Sequence, residues 1–158
     1  MTLTADEKDD LFDRYNSGYR EVIAALNGIT DDELDVRPRA DAWTAREVCH
    51  HLADSETNSY VRLRRLLAEE GTTLQGYDEA LWARTLAYDR PVDASLAVFA
   101  AVRASSAELI RAMGDVDWGR EGVHTESGRY TLEDWLRIYA DHAYVHADQI
   151  RRARRGEA

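Results

Sequence analysis

The sequence predicts an all-α protein: a four-helix bundle, with a connection between its second and third helices long enough to cross the bundle. Three observations carry this prediction. Four stretches repeat apolar residues with a helical period. Three of them open on a threonine with an acid three residues later, the reciprocal pattern of a capping box. The only two prolines, Pro38 and Pro91, fall between the stretches, where their missing N–H breaks no helix.

The first stretch opens at Thr4, answered by Glu7. It sets Leu11, Tyr15, Tyr19, Val22, Ile23 and Leu26 on one face before Asn27-Gly28 stops it. The second opens at Thr44, answered by Glu47, and carries Val48, His51, Leu52, Ser55, Leu63 and Leu66 inward as far as Gly71. The third begins near Asp93 and uses Leu96, Phe99, Val102, Ser106, Leu109 and Met113, ending at Gly114. The fourth opens at Thr131, answered by Asp134, and turns Trp135, Tyr139, His142, His146 and Ile150 inward. Helices of about 20–26 residues would be roughly 30–39 Å long. Four apolar stripes of matched length are buried by packing against one another. Residues 71–92 are long enough to cross the bundle, so the second and third helices can run parallel, with a short helical piece expected at 79–86. Residues 114–130 hold four glycines (Gly114, Gly119, Gly122, Gly128) and read as a loop; no strand pattern is visible.

Composition bounds the function. The 158 residues suit a single domain spanning 1–158, and 44% hydrophobic with 32% charged residues describes a globular chain. A net charge of −10 opposes a nucleic-acid footprint, which needs a basic face. The one basic cluster, residues 151–155, sits where cations favour a helix C-terminus. The longest apolar run, 96–102, is far short of the roughly 18 residues of a membrane span, and the acidic first ten residues lack a secretory h-region. A single cysteine, Cys49, permits no internal disulfide and fits a reducing compartment, so the expected location is cytoplasmic.

The sharpest chemical feature is His142 and His146 on the fourth helix. Their i, i+4 spacing puts both imidazoles on one face, one turn apart, where they can share a metal ion. His51 sits on the inward face of the second helix. Three neutral imidazoles converging in a bundle would leave coordination positions open, as catalytic sites do and closed structural zinc sites do not. The competing reading is that His-x₃-His pairs arise by chance on helices and that inward histidines are ordinary satisfied core residues. His50 projects about 100° from His51, so it is assigned to the flank. Cys49 reads as a small buried hydrophobe. His124 could cover a pocket mouth, but the preferred reading is a solvated loop histidine. Glu47-x-x-His50 raises a di-iron carboxylate site, but the only companion, Glu121-x-x-His124, lies among glycines, and Glu47 is better explained as a helix cap. There is no Gly-x-Ser-x-Gly elbow and no glycine-rich phosphate loop. Asp54 lies one turn after His51 and could orient its ring; Asp141 faces elsewhere; Tyr77 and Asp78 could line a site. Spacing identifies no catalytic base.

The run WTAREVCHHLADSE at residues 43–56 resembles the second-helix signature of the DinB-like superfamily, including its YfiT-like branch. That signature has a Trp-Ser/Thr start, a Glu, and His-Leu four residues after it; His51-Leu52 fills the slot. DHAYVHADQI at 141–150 resembles the family's closing His-x₃-His followed by Gln-Ile, and QGYDE at 75–79 and ESGRYTL at 126–132 also look like members of the group. The resemblance runs in order over nearly the whole chain. It implies an up-down-down-up bundle, often homodimeric, with a divalent metal, commonly zinc or nickel, held by His51, His142 and His146. It also implies a metal-dependent enzyme acting on a small molecule. Relatives of this kind include thiol transferases that use a low-molecular-weight thiol such as bacillithiol or glutathione, a mycothiol-dependent isomerase, and proteins regarded as metal-dependent hydrolases. A rival of another class is a stress protein that binds metal or a small ligand without turnover. Neither nucleic acid nor membrane is an expected partner.

Overall fold

In the computed structural model, which describes residues 2–157, the main helices are α1 (Ala5–Leu26), α3 (Ala45–Ala68), α5 (Asp93–Arg111) and α6 (Leu132–Ala153). Short helices α2 (Asp31–Leu34) and α4 (Glu79–Thr85) interrupt the connections, and a 3-10 turn occupies Asp115–Gly119. The threonine boxes form as the sequence predicts. Thr4, Thr44 and Thr131 each accept the backbone N–H three residues on, and Glu7, Glu47 and Asp134 accept the cap's own N–H. A fourth box, Thr30 with Glu33, starts α2.

Side-chain contacts give the helix directions. Between α1 and α6 the pairs Arg14–Asp141, Ser17–Tyr144 and Arg151–Glu21 advance together, so these helices are parallel. Between α3 and α5, His50–Ser95, Glu56–Arg103 and Arg64–Ser105 likewise advance together. Between α3 and α6, Ser55–His142 and Ser59–Trp135 run in opposite senses. The bundle is therefore up-down-down-up, with the crossover over residues 69–92 and helix α4 within it.

The prediction of no strands is wrong. Strands β1 (Thr73–Leu74), β2 (Glu121–His124) and β3 (Gly128–Thr131) form a three-stranded sheet, β1 parallel to β2 and β2 antiparallel to β3. Strands this short carry no readable period, and β2 inverts the usual pattern: Val123 faces out while Gly122 and His124 face in. Gly122 is required because a Cβ there would lie 2.6 Å from the Thr72 carbonyl, which accepts the Val123 N–H.

The core has two apolar sections. One gathers Tyr15, Leu63, Leu66, Ile110, Trp135 and Leu136; the other gathers Val22, Val48, Leu52, Phe99, Ala147 and Ile150. Between them each helix contributes a small or polar residue: Gly18, Glu56, Arg103 and His142. Arg103 is 4% exposed and reaches all four helices from its seat on α5. Its guanidinium donates to Glu56 of α3 (2.7 Å), the Tyr15 carbonyl of α1 (2.7 Å) and the Tyr139 carbonyl of α6 (2.9 Å). Gly18 makes the room: a Cβ there would lie 2.7 Å from the Ala143 Cβ and about 3.0 Å from the guanidinium.

Two inward assignments shift. Ile23 is 38% exposed, lying on the shoulder of α1, whereas His50, assigned to the flank, is completely buried. The end of the crossover and the start of α5 fold over His50: Ser95 contacts its Nδ1 (2.8 Å) and the Arg90 carbonyl accepts from Nε2 (3.0 Å). Cys49 is fully buried, as expected, and burial pushes its thiol up to about 12.

The Gly18→Ala variant should lose roughly 1–3 kcal/mol of stability in urea melts, because overpacking outweighs the better helix propensity of alanine. Arg103→Ala should cost more, about 3–5 kcal/mol, by stranding the Glu56 carboxylate.

Candidate metal centre

The three histidines singled out by the sequence meet in space. His51 projects from α3, and His142 and His146 project from successive turns of α6. One ring nitrogen from each lies within 4.8 Å of those of the other two. Ring centroids are 4.7 Å apart for His51–His146, 4.6 Å for His142–His146 and 5.5 Å for His51–His142. The indole of Trp43, just before α3, packs on the His51 ring at 4.7 Å and walls one side.

Hydrogen bonds on the outer nitrogens fix two of the tautomers. A carboxylate paired with an arginine only accepts, so His142 Nδ1–H donates to Glu56 Oε1 at 3.2 Å. His146 Nδ1–H donates to Gln149 Oε1 at 2.8 Å. Both rings therefore present an Nε2 lone pair to the cluster; that of His142 has the Ser55 hydroxyl at 3.4 Å. Burial, reinforced by the neighbouring imidazoles, lowers the pKa of His51 to about 2 and that of His146 to about 4. These rings are thus neutral at pH 7, the form that ligates a cation. Neutral converging imidazoles with anchored outer nitrogens match the donor chemistry of a divalent transition metal.

The cluster is approached from two sides. A cleft of about 170 Å³ at His142 is lined by Ser55, Arg62, Tyr77, Glu79, His124 and Glu126, among others. Tyr77 and Glu79 come from the crossover, His124 and Glu126 from the β2–β3 hairpin. The Tyr77 hydroxyl faces Ser55 yet finds no partner at hydrogen-bonding geometry. Burial raises the Glu79 pKa, against the lowering effects of His142 and Arg62. On the other side, a groove of about 380 Å³ at His146 is lined by Arg39, Trp43, Gln149 and Arg152.

Several side chains stand elsewhere than expected. Asp54 accepts a 2.6 Å hydrogen bond from Tyr88 and does not orient His51. His124 is no solvated loop residue: it is 8% exposed, on β2, with Nδ1 accepting the Glu126 N–H at 3.3 Å. As expected, Glu47 caps α3; it also pairs with Arg37 at 2.6 Å, and Glu47-x-x-His50 makes no di-iron motif. Asp141 faces outward to Arg14, as predicted. Glu56, Glu79 and Glu126 were missed. Glu56 alone left a trace, a charge on the inward side of the second helix one turn after Leu52.

The sequence model of the DinB superfamily matches residues 14–150, so the chain belongs to that superfamily. Among similar proteins is YfiT of Bacillus subtilis, 31% identical over 152 residues that cover 94% of this chain and 85% of that protein. Another, from Oceanobacillus iheyensis, is 35% identical over 122 residues, 77% of this chain and 71% of its own. Both carry the name "Putative metal-dependent hydrolase". The solved structure of B. subtilis YfiT, described as a probable metal-dependent hydrolase with an unusual four-helix bundle topology, superposes with a TM-score of 0.90 at 29% identity, covering 99% of this chain and 92% of that one.

The depressed histidine pKa values make the metal-free protein acid-sensitive. The unfolded chain takes up protons on these rings near pH 6.5, and the native chain resists until about 4 for His146 and about 2 for His51. The stabilisation is thus complete above pH 6.5 and declines as pH falls through the window below it. Chelator-treated protein should show falling urea midpoints from pH 7 to 5, and a triple His→Asn variant should show a flatter profile.

Proposed function

We propose that the chain is a metal-dependent enzyme in which His51, His142 and His146 hold one divalent cation, zinc or nickel, and that it hydrolyses a small molecule delivered to the cleft at His142. One observation carries this reading: three imidazoles converge, His142 lining a cleft and His146 lining a groove, with the outer nitrogens of these two tied to Glu56 and Gln149. The relatives' shared name supports the hydrolytic version. A cation in such a site supplies Lewis acidity and lowers the pKa of a coordinated water or thiol to near neutrality.

The remaining roles fall to side chains of this protein. Glu56 and Gln149 hold their imidazoles in the ligating tautomer and orientation. Glu79, more basic than a solvated glutamate, is assigned to take a proton from the attacking water and return it to the leaving group. Tyr77 and Ser55 offer hydroxyls to the bound substrate at the cleft wall.

The groove at His146 supports a second reading, thiol transfer. A low-molecular-weight thiol could enter beside Trp43, Arg39 and Arg152 without crossing the cleft that receives the electrophile. In either version the partner is a small molecule and not nucleic acid, consistent with the acidic charge.

Elemental analysis of protein purified without added metals or chelators should find about one divalent cation per chain. His142→Ala or His146→Ala should remove most of it, and Glu56→Gln should weaken affinity roughly 10–100-fold. His50→Ala and His124→Ala should retain it. Full occupancy in the first two variants would defeat the ligand assignment. Metal-loaded protein inert toward panels of esters, amides, and thiols with electrophiles would point to a non-catalytic binding protein.

A further inference from the structure

The sheet lends Leu74 and Tyr130 to the apolar core of the bundle. Its strands are short, yet its construction is demanding, and what it builds is one wall of the cleft at His142. β1 pairs with β2 so that Leu74 stands opposite His124, and the Thr125 N–H donates to the Leu74 carbonyl at 3.0 Å. The Thr125 hydroxyl accepts the Gly76 N–H at 2.9 Å. Gly76 lets the Glu126 carboxylate lie against the start of the crossover: a Cβ there would lie 2.4 Å from the carboxyl carbon and would push that side chain aside. The hairpin tip and the start of the crossover are thus locked together, which sets His124 and Glu126 beside Tyr77 and Glu79.

The His124 ring is held in a defined state. The backbone N–H of Glu126 donates to Nδ1, so the proton of the neutral ring sits on Nε2. Burial and the nearby Arg62 both disfavour the charged form. Nε2–H has no acceptor among the described residues, although the ring lines the cleft. The Arg62 guanidinium is engaged, donating to the Tyr139 hydroxyl at 3.1 Å and to the Gln75 carbonyl at 2.8 Å. Glu79 and Glu126 add two carboxylates to the rim. The cleft therefore offers a neutral donor beside two carboxylates and one guanidinium, a lining whose surplus negative charge disfavours phosphate esters relative to an uncharged carbonyl with an N–H or amine beside it.

We propose that this cleft is the acyl subsite of the enzyme, taking a compact amide-like or amine-bearing carbonyl compound, with His124 Nε2–H donating to the carbonyl oxygen and Glu79 and Glu126 facing its nitrogen. The inference rests on the metal-dependent reading above and narrows its substrate class.

The test uses the full-length protein loaded with cobalt(II), titrated with acetohydroxamate and separately with inorganic phosphate while the visible spectrum is followed. Metal content is measured on every variant. Acetohydroxamate should bind at least tenfold more tightly than phosphate. His124→Phe should weaken it by about tenfold, the worth of one well-made hydrogen bond, with metal content unchanged. His124→Gln, which keeps an N–H donor, should recover part of the loss, and Glu79→Gln/Glu126→Gln should tighten phosphate binding. Equal affinity for the two probes, or acetohydroxamate binding unchanged in both His124 variants, would overturn the subsite. Failure of the wild-type protein to take up cobalt would instead overturn the metal-dependent reading, and the subsite with it.

Discussion

The arrangement depends on one buried ion pair. Arg103 and Glu56 lie in the middle of the bundle, 4% and 1% exposed, and their 2.7 Å contact sits between two apolar core sections. Desolvating two charges is costly, and well-packed hydrophobic residues often stabilise as well or better. The gain here is positional. The guanidinium binds backbone carbonyls of α1 and α6 and a carboxylate of α3, so it fixes the relative height of all four helices. The same Glu56 oxygen then receives the His142 Nδ1–H, so the register of the bundle and the orientation of an imidazole share one anchor. The lack of a side chain at Gly18 belongs to the same constraint, because the guanidinium occupies the space a Cβ would enter.

Around that anchor the up-down-down-up topology has a chemical consequence. Parallel α3 and α5 require a connection that traverses the bundle, and this crossover passes the open edge of the imidazole cluster. It delivers Tyr77 and Glu79 there, and its far end is pinned by the buried His50 through Ser95 and the Arg90 carbonyl. The loop before α6 arrives at the same place as a hairpin. The bundle thus supplies the imidazoles and the two long connections supply walls of the cleft.

Much of this was legible in the sequence. Threonine boxes located three helix starts, a 3.6-residue period chose the inward faces, and the His142–His146 spacing with an inward His51 identified the cluster. What stayed hidden depends on contacts distant in sequence. His50 looked peripheral because a period reads only one face of a helix, and the crossover buries the neighbouring face. The sheet escaped because β2 turns a glycine and a histidine inward and a valine outward, opposite to the usual pattern. Glu56 was passed over because an acid on an apolar face signals nothing until its partner, 47 residues away, is placed beside it.

The central claim is that His51, His142 and His146 together ligate one divalent cation. X-ray absorption at the edge of the metal carried by protein purified without metal additions tests it most directly. Three imidazole ligands at about 2.0–2.1 Å, completed by light oxygen scatterers, is the predicted result for zinc. A shell with sulfur from Cys49, or with fewer than three imidazoles, would contradict it.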